Sequence, residues 1–118
     1  MIVRTCLLIS DDPDDHVEFS EALYEISDDA VLVAVSDAGK ALELLRQRKY
    51  LPEFVFLNLG ISAFDPDAFM EVISSAEHLS KLKVIAFGDS VSSSRFSTYF
   101  SNELSFSQLK QTLRSILA

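Results

Sequence analysis

The chain has 118 residues, of which 48% are hydrophobic and 24% charged, a balance typical of one globular domain. Its 10 Lys and Arg stand against 18 Asp and Glu, a net charge of −8. This excess of acid argues against direct binding of nucleic acid, because phosphate contacts need clustered cations. No apolar run approaches the ~20 residues that cross a bilayer, and a secretory signal pattern is missing. We therefore expect a single cytoplasmic domain over residues 1–118 that binds neither nucleic acid nor membrane.

Apolar strand patterns alternate with amphipathic helix patterns along the chain. We predict strands at residues 2–9, 30–35, 54–59 and 83–87, and a short fifth strand at 97–101. The lone Cys6 lies in the first strand and is expected to be a small core residue. The alternating order implies right-handed crossovers and a parallel sheet covered by helices on both faces.

Capping residues predict where the helices begin. Asp12-Pro13 and Asp65-Pro66 are typical of an N-cap followed by the first helical residue, and Ser36 is expected to cap the second helix. Ser105 and Gln108 predict a capping box for the last helix. The inward faces are expected to comprise Val17, Ala22, Leu23 and Ile26; Ala41, Leu42, Leu44 and Leu45; Phe69, Met70, Val72 and Ile73; and Leu109, Leu113, Ile116 and Leu117.

Polar residues follow two of the predicted strands. The first strand ends in residues 10–15, which include four aspartates, and the third ends at Asn58. Parallel sheets build their sites at the carboxyl ends of strands, so these two ends predict a cation or phosphate site. Asn58 occupies a place where a carboxylate would make a phosphate acceptor.

The order of elements and these two strand ends resemble the response-regulator receiver domain of two-component signalling. Residues 7–15, Leu-Leu-Ile-Ser-Asp-Asp-Pro-Asp-Asp, are the most specific local match, and residues 41–45, 54–59 and 99–109 also match in spacing. The resemblance covers nearly the whole chain. It implies a flavodoxin-like (CheY-like) α/β three-layer sandwich whose parallel sheet has five strands in the order 2-1-3-4-5.

Receivers use an acid pair after strand one to hold Mg²⁺ and an aspartate ending strand three to accept a phosphoryl group. They also use a Thr or Ser after strand four and a Lys followed by Pro after strand five. The matching positions of this chain hold Ser10 and Asp11, Asn58, Gly88, and Asn102 followed by Glu103, while Tyr99 matches the family's switch aromatic. Of the groups that carry the receiver chemistry, the resemblance leaves only Asp11 with the expected side chain.

An amide has no anionic lone pair at neutral pH, so Asn58 is expected not to accept a phosphoryl group. Asp11 remains as the one carboxylate candidate for Mg²⁺, which prefers carboxylates and water, so Mg²⁺ binding should be weak and no cofactor required. The interval from residue 88 to 99 is shorter than in receivers by about two helical turns. The fourth helix of the family is therefore predicted to be shortened.

Simpler interpretations stand beside these. Asp12, Asp14 and Asp15 suit a helix N-terminus electrostatically, and His16 and His78 are expected to be surface residues without metal partners. The resemblance favours a phosphorylation-incompetent protein-interaction module whose partner is a sensor kinase, another signalling protein or a second copy in a homodimer. The alternative is a Mg²⁺-dependent phosphatase or hydrolase that uses Asp11 and Asp89.

Overall fold

A computed structural model of the protein describes residues 4–47, 51–60, 65–79, 81–88, 98–100 and 104–117. The strands are β1 (Arg4–Ile9), β2 (Ala30–Val35), β3 (Phe54–Asn58), β4 (Lys83–Phe87) and β5 (Thr98–Phe100). The helices are α1 (Pro13–Ile26), α2 (Ala38–Arg46), α3 (Pro66–Ser75) and α4 (Phe106–Leu117), with a 3₁₀ turn at Glu77–Leu79. None of the described helices is long and apolar enough to cross a membrane.

The strands form a parallel sheet in which β1 lies between β2 and β3, and β4 lies beside β3, in the order predicted. The three residues of β5 fall within the range predicted for a fifth strand and pair in parallel with β4, from Ile85 with Thr98 to Phe87 with Phe100. The shortened fourth helix of the family would lie in residues 89–97, outside the described residues, and stays a prediction.

Two apolar clusters cover the two faces of the sheet. Cys6, Leu8 and Phe56 point to the face covered by α1 and α4, whereas Leu7 and Val55 point to the face covered by α2 and α3. Alternate residues of a strand face opposite sides, and here helices cover both sides of the sheet. Every residue of β3 is buried, which explains why that strand has a continuous apolar sequence rather than an alternating one.

The inward face of α1 differs from the prediction at one position. Val17, expected in the core, is 55% exposed, and Phe19 is buried instead. The Phe19 ring lies 5.5 Å from that of Phe56 and 5.0 Å from that of Phe87, measured between centroids. Phe19, Leu23 and the intervening Ala22 follow the i, i+3, i+4 spacing of one helical stripe, and Val17 lies outside that stripe.

The helices begin at the expected caps except in α2. Asp12 and Asp65 each accept a hydrogen bond from the backbone two residues on, and proline follows both. In α2 the cap is Asp37, whose carboxylate accepts from the Lys40 backbone N–H at 2.8 Å, rather than the predicted Ser36. The helix therefore starts one residue later, because a carboxylate at that position can reach the third amide of the first turn.

The last helix packs against α1, and its carboxyl end is hydrogen-bonded to the first strand. The predicted capping box is present, since Ser105 N–H donates to Gln108 Oε1 at 2.9 Å and Gln108 N–H donates to Ser105 Oγ at 3.2 Å. At the other end of α4, the guanidinium of Arg4 in β1 donates to the Leu117 carbonyl. The two ends of the described chain thus meet beside β1.

Candidate functional site

Ser10 is the first residue after β1 and lies at the carboxyl edge of the sheet. Its side chain is fully buried, and its backbone N–H donates to the Val35 carbonyl of β2 at 3.1 Å. Its hydroxyl oxygen accepts from the Asp12 backbone N–H at 3.2 Å. The serine is therefore held between the end of β1 and the start of α1, because its backbone and side chain bond to different elements.

The cap of α1 brings Asp15 back onto this serine. Asp12 is the N-cap and Pro13 the first helical residue, so Asp15 occupies the third helical position. A side chain there reaches back toward the residues that precede the helix. Asp15 Oδ2 accepts a hydrogen bond from Ser10 Oγ at 2.7 Å, which places a carboxylate over the end of β1.

Asn58, the last residue of β3, completes the cluster. Its amide nitrogen donates to Ser10 Oγ at 3.1 Å and to Asp15 Oδ2 at 3.3 Å, and its amide oxygen accepts from the Gly60 backbone N–H at 2.8 Å. Asn58 is only 8% exposed. The amide nitrogen and the amide oxygen thus both have partners, as a buried amide requires.

These contacts form a closed hydrogen-bond network of Ser10, Asp15 and Asn58, called the strand-end network below. The Ser10 hydroxyl has one proton and two lone pairs. The proton goes to Asp15, and the lone pairs accept from Asn58 and from the backbone of Asp12. No buried polar side-chain atom among the described residues lacks a hydrogen bond. One carboxylate oxygen of Asp15, Oδ2, therefore accepts hydrogen bonds from two neutral donors, Ser10 and Asn58.

The pKa of Asp15 is raised above its usual value, mainly because burial disfavours the charged carboxylate. The hydrogen bond from Ser10 acts in the opposite direction and lowers this pKa. The negative charges of Asp12 and Asp11 raise it, while His16 lowers it. Burial dominates, so Asp15 is harder to ionise than an exposed aspartate.

The two histidines, predicted to be surface residues, each bond to the backbone of a neighbouring segment. His16 and His78 are both half-buried, and each ring makes a hydrogen bond to a backbone carbonyl. His16 Nε2 donates to the Ser10 carbonyl at 2.7 Å, and His78 Nε2 donates to the Leu45 carbonyl at 3.0 Å. His16 therefore adds a second link between α1 and the end of β1.

Asp11, the predicted metal ligand, is exposed and has no hydrogen bond or ion pair within the described part of the chain. The carboxylate that contacts Asn58 comes from Asp15 instead, for which the sequence predicts only favourable electrostatics at the helix start. Its position three residues after the N-cap was the signal that could have identified it. Among described residues, no group of three or more His, Cys, Asp or Glu side chains could hold a metal ion.

Gly88 follows β4 and borders the strand-end network. It is buried, with a φ angle of +147° that L side chains rarely adopt. A Cβ atom at Gly88 would lie 3.5 Å from the Leu59 backbone nitrogen and 3.6 Å from Asn58 Oδ1. These are ordinary contact distances, so it is the φ angle that would strain the backbone if the hydroxyl residue of receivers stood here.

The remaining predicted positions are only partly described. Tyr99 lies in β5, and nothing is described of its side chain. Asn102 and Asp89 lie outside the described residues. The structure thus brings Ser10, Asn58 and Gly88 together and adds Asp15 to them. No observation favours the hydrolase that would pair Asp11 with Asp89.

Comparison with protein-family models and with curated protein sequences finds no match. Solved structures do match. The phosphorylated cyanobacterial phytochrome response regulator RcpA has a TM-score of 0.82 and 22% sequence identity, over 98% of this chain and 91% of that one. The chemotaxis response regulator CheY4 of Vibrio cholerae has a TM-score of 0.78 and 10% identity, over 98% and 99%. The Mn²⁺-bound form of response regulator Rcp1 has a TM-score of 0.78 and 18% identity, over 96% and 91%.

All three are response regulators, and each aligns over nearly the whole of both chains. The sequence identities are low, so the likeness is one of fold. The order of strands and the helices on both faces of the sheet agree with that likeness. The chain has the fold of a CheY-like response-regulator receiver domain.

Proposed function

We propose that this chain is a single receiver-like domain, cytoplasmic and without enzymatic activity, that serves two-component signalling by binding a protein partner without being phosphorylated. The observation that carries the proposal is the strand-end network. Asn58 stands where receivers have their phosphoacceptor, and its amide is fully engaged with Ser10, Asp15 and Gly60. A phosphoryl transfer needs an ionised nucleophile. The amide of Asn58 is neutral, and its oxygen already accepts a hydrogen bond from the Gly60 backbone N–H.

The electrostatics of the strand end support the same proposal. In a receiver, Mg²⁺ neutralises the carboxylates and the transferring phosphoryl group. Here the carboxylate of Asp15 already receives two hydrogen bonds from neutral donors, Ser10 and Asn58. We propose that the domain needs no cofactor and that Asp11 binds Mg²⁺ no better than millimolar, because it stands alone as a ligand. Titration calorimetry that shows micromolar affinity would contradict this part.

Incubation with a small phosphodonor tests the central claim. The protein is treated with Mg²⁺ and acetyl phosphate, and its intact mass is measured, with a phosphorylatable receiver treated alongside to show that the donor is active. We expect the mass of the chain to stay unchanged. A species heavier by about 80 Da, roughly one phosphoryl group, would overturn the proposal.

The Asn58→Asp variant is the matched comparison. It restores a carboxylate at the acceptor position but leaves Ser10, Gly88 and Asn102 unchanged. We expect the variant to remain a poor acceptor, because a receiver also needs a second acid for the metal and a lysine for the phosphoryl oxygens. Efficient phosphorylation of the variant would show that Asn58 alone separates this chain from an active receiver.

A further inference from the structure

A groove lies between the last turns of α1 and the start of β2, at the opposite end of the sheet from the strand-end network. Its volume is about 320 Å³. Leu23, Ala30 and Leu32 supply its apolar surface, and it is also lined by Ser20, Tyr24, Ser27 and Asp28. The groove takes no part in the site described above.

The strand beside this groove forms an edge of the sheet. β2 pairs with β1 along its whole length, from Arg4 with Ala30 to Ile9 with Val35, and no described strand pairs with its other side. Its six residues are all alanine, valine or leucine. Edge strands of natural proteins are usually protected by charges, proline or bulges. β2 carries no charge and no proline, so it suits the addition of another strand.

The side chains of β2 present two different surfaces to such a strand. Ala30 and Leu32 pack toward the cluster under α1, where the groove lies. Val33 packs toward the cluster under α2, and Val31, two residues before it, is exposed and lies on the same side by alternation. An added strand would therefore meet the groove with one set of its side chains and a row of valines with the other.

The wall of the groove is aromatic and its surroundings are acidic. Tyr24 is 84% exposed, an apolar body with a polar tip that interfaces favour. Asp28 lines the groove, and the preceding exposed acids include Glu21. Residues 11–29 contain nine acidic residues and no Lys or Arg. A second copy would bring the same negative charge to the same place and be repelled, whereas a basic partner would be attracted.

We propose that the groove and the β2 edge bind an extended segment of a partner protein in which valine-like residues alternate with lysine or arginine. The apolar residues extend the row of Val31 and Val33. The basic residues lay their aliphatic stems along Tyr24 and direct their charge to Asp28. This inference rests on the proposed function in one respect, since it names the surface by which a binding module would hold its partner.

Synthetic peptides test the proposal directly. One fluorescent peptide alternates Val with Lys and another alternates Val with Glu, and binding to the whole chain is followed by fluorescence anisotropy. We expect the Val–Lys peptide to bind and the Val–Glu peptide to bind at least about tenfold more weakly. Raising the salt concentration should weaken the Val–Lys complex.

Four variants locate the binding surface. Tyr24→Ser and Asp28→Lys alter the groove, while Val17→Ser and Glu43→Lys make matched changes at exposed positions elsewhere on α1 and on α2. All four residues are exposed, so each variant should keep the wild-type circular dichroism spectrum. We expect each groove variant to lose about tenfold in affinity for the Val–Lys peptide and the two control variants to match the wild type.

Several outcomes would overturn the proposal: no binding of the Val–Lys peptide, equal binding of both peptides, or equal losses in groove and control variants. A dimer in light scattering that Tyr24→Ser dissociates would mean that a second copy occupies the groove instead. The result is independent of the phosphodonor experiment. If the protein is not phosphorylated and does not bind the Val–Lys peptide, only the proposed binding groove is contradicted. If the protein is phosphorylated, the proposed function is contradicted, whether or not the peptide binds.

Discussion

Asn58 holds the strand end together as a donor, so a carboxylate in its place should weaken the fold. In Asn58→Asp, two carboxylates would face each other where Asn58 Nδ2 now lies 3.3 Å from Asp15 Oδ2. We expect the free energy of unfolding at neutral pH to fall by about 1–3 kcal/mol, because a buried hydrogen bond is replaced by like-charge repulsion. Chemical denaturation measures this change.

The pH dependence of this variant distinguishes charge repulsion from the simple loss of the hydrogen bonds that Asn58 donates. Two close carboxylates share a proton as the pH falls, so the deficit of Asn58→Asp should shrink in acid. The matched variant Asn58→Ala loses the same donor without adding a charge, and its deficit should change much less with pH. Equal pH profiles for the two variants would show that repulsion from Asp15 is not the cause.

Asp15 should make its own contribution to the pH dependence of stability. Its pKa in the folded protein is raised from 3.8, so the folded state holds the proton more tightly than the unfolded state. The stability that protonation supplies is complete below the unfolded pKa and is lost as the pH rises through the higher folded value. Asp15→Asn keeps an acceptor for Ser10 and Asn58 but cannot ionise, so it should avoid this loss.

The free energy of unfolding of Asp15→Asn and of the wild type is measured by chemical denaturation at several pH values between about 3 and about 7. We expect the stability of Asp15→Asn, relative to the wild type, to increase as the pH rises above 3.8 and then to level off. The exposed Asp14, one residue earlier on the same turn, provides the control variant Asp14→Asn. A difference between Asp15→Asn and the wild type that stays constant over this range would mean that burial does not raise the pKa.

The site was predictable in part, and the missing part is geometric. Parallel strands end at one edge, so the proximity of Ser10 and Asn58 followed from the order of elements alone. The order of elements did not predict which nearby aspartate would contact these two residues. That choice depends on the direction that the start of the helix gives to the side chains of Asp11 and Asp15. Asp11 points to solvent and Asp15 to the strand ends, a difference decided by the cap at Asp12.

The inner face of α1 shows the same limit at the scale of an element. The apolar residues predicted the helix itself but not which of Val17 and Phe19 would be buried. Only Phe19 lies on the same stripe of the helix as Leu23. Phe19 is the buried residue because its ring fills the space beside Phe56 and Phe87. The alternation of strands and helices was predictable because it depends on the pattern of many residues. Whether one side chain of a helix is buried depends on the residues of other elements that pack against it.

This difference within α1 can be measured. Phe19→Ala should lower the free energy of unfolding by about 3–5 kcal/mol, because it removes a buried ring and leaves a cavity. Val17→Ser, two residues away on the same helix, should change it by no more than about 0.5 kcal/mol, as is usual at exposed positions. Urea denaturation of both variants gives the comparison. A loss in Val17→Ser as large as that in Phe19→Ala would contradict the described orientation of α1.

The charge of the whole molecule should oppose its folding. The net charge is −8, and the ion pairs among described residues, Arg4 with Glu53 and Lys110 with Glu25, are partly exposed and contribute little. Self-repulsion of the acidic residues should therefore exceed these attractions. We expect sodium chloride, raised from about 0.02 M to about 0.5 M at neutral pH, to increase the unfolding free energy by about 1 kcal/mol, since it screens that repulsion.

The isoelectric point provides the control for this salt effect. Near pH 4.5, the pI of the sequence, the net charge disappears and the stabilisation by sodium chloride should disappear with it. A thermal midpoint that falls with salt at neutral pH would mean that ion pairs outweigh repulsion. The same screening acts in the opposite direction on the groove between α1 and β2, where the acids would attract a basic segment. Salt should therefore stabilise the free domain while it weakens the complex, because one set of aspartates and glutamates causes both effects.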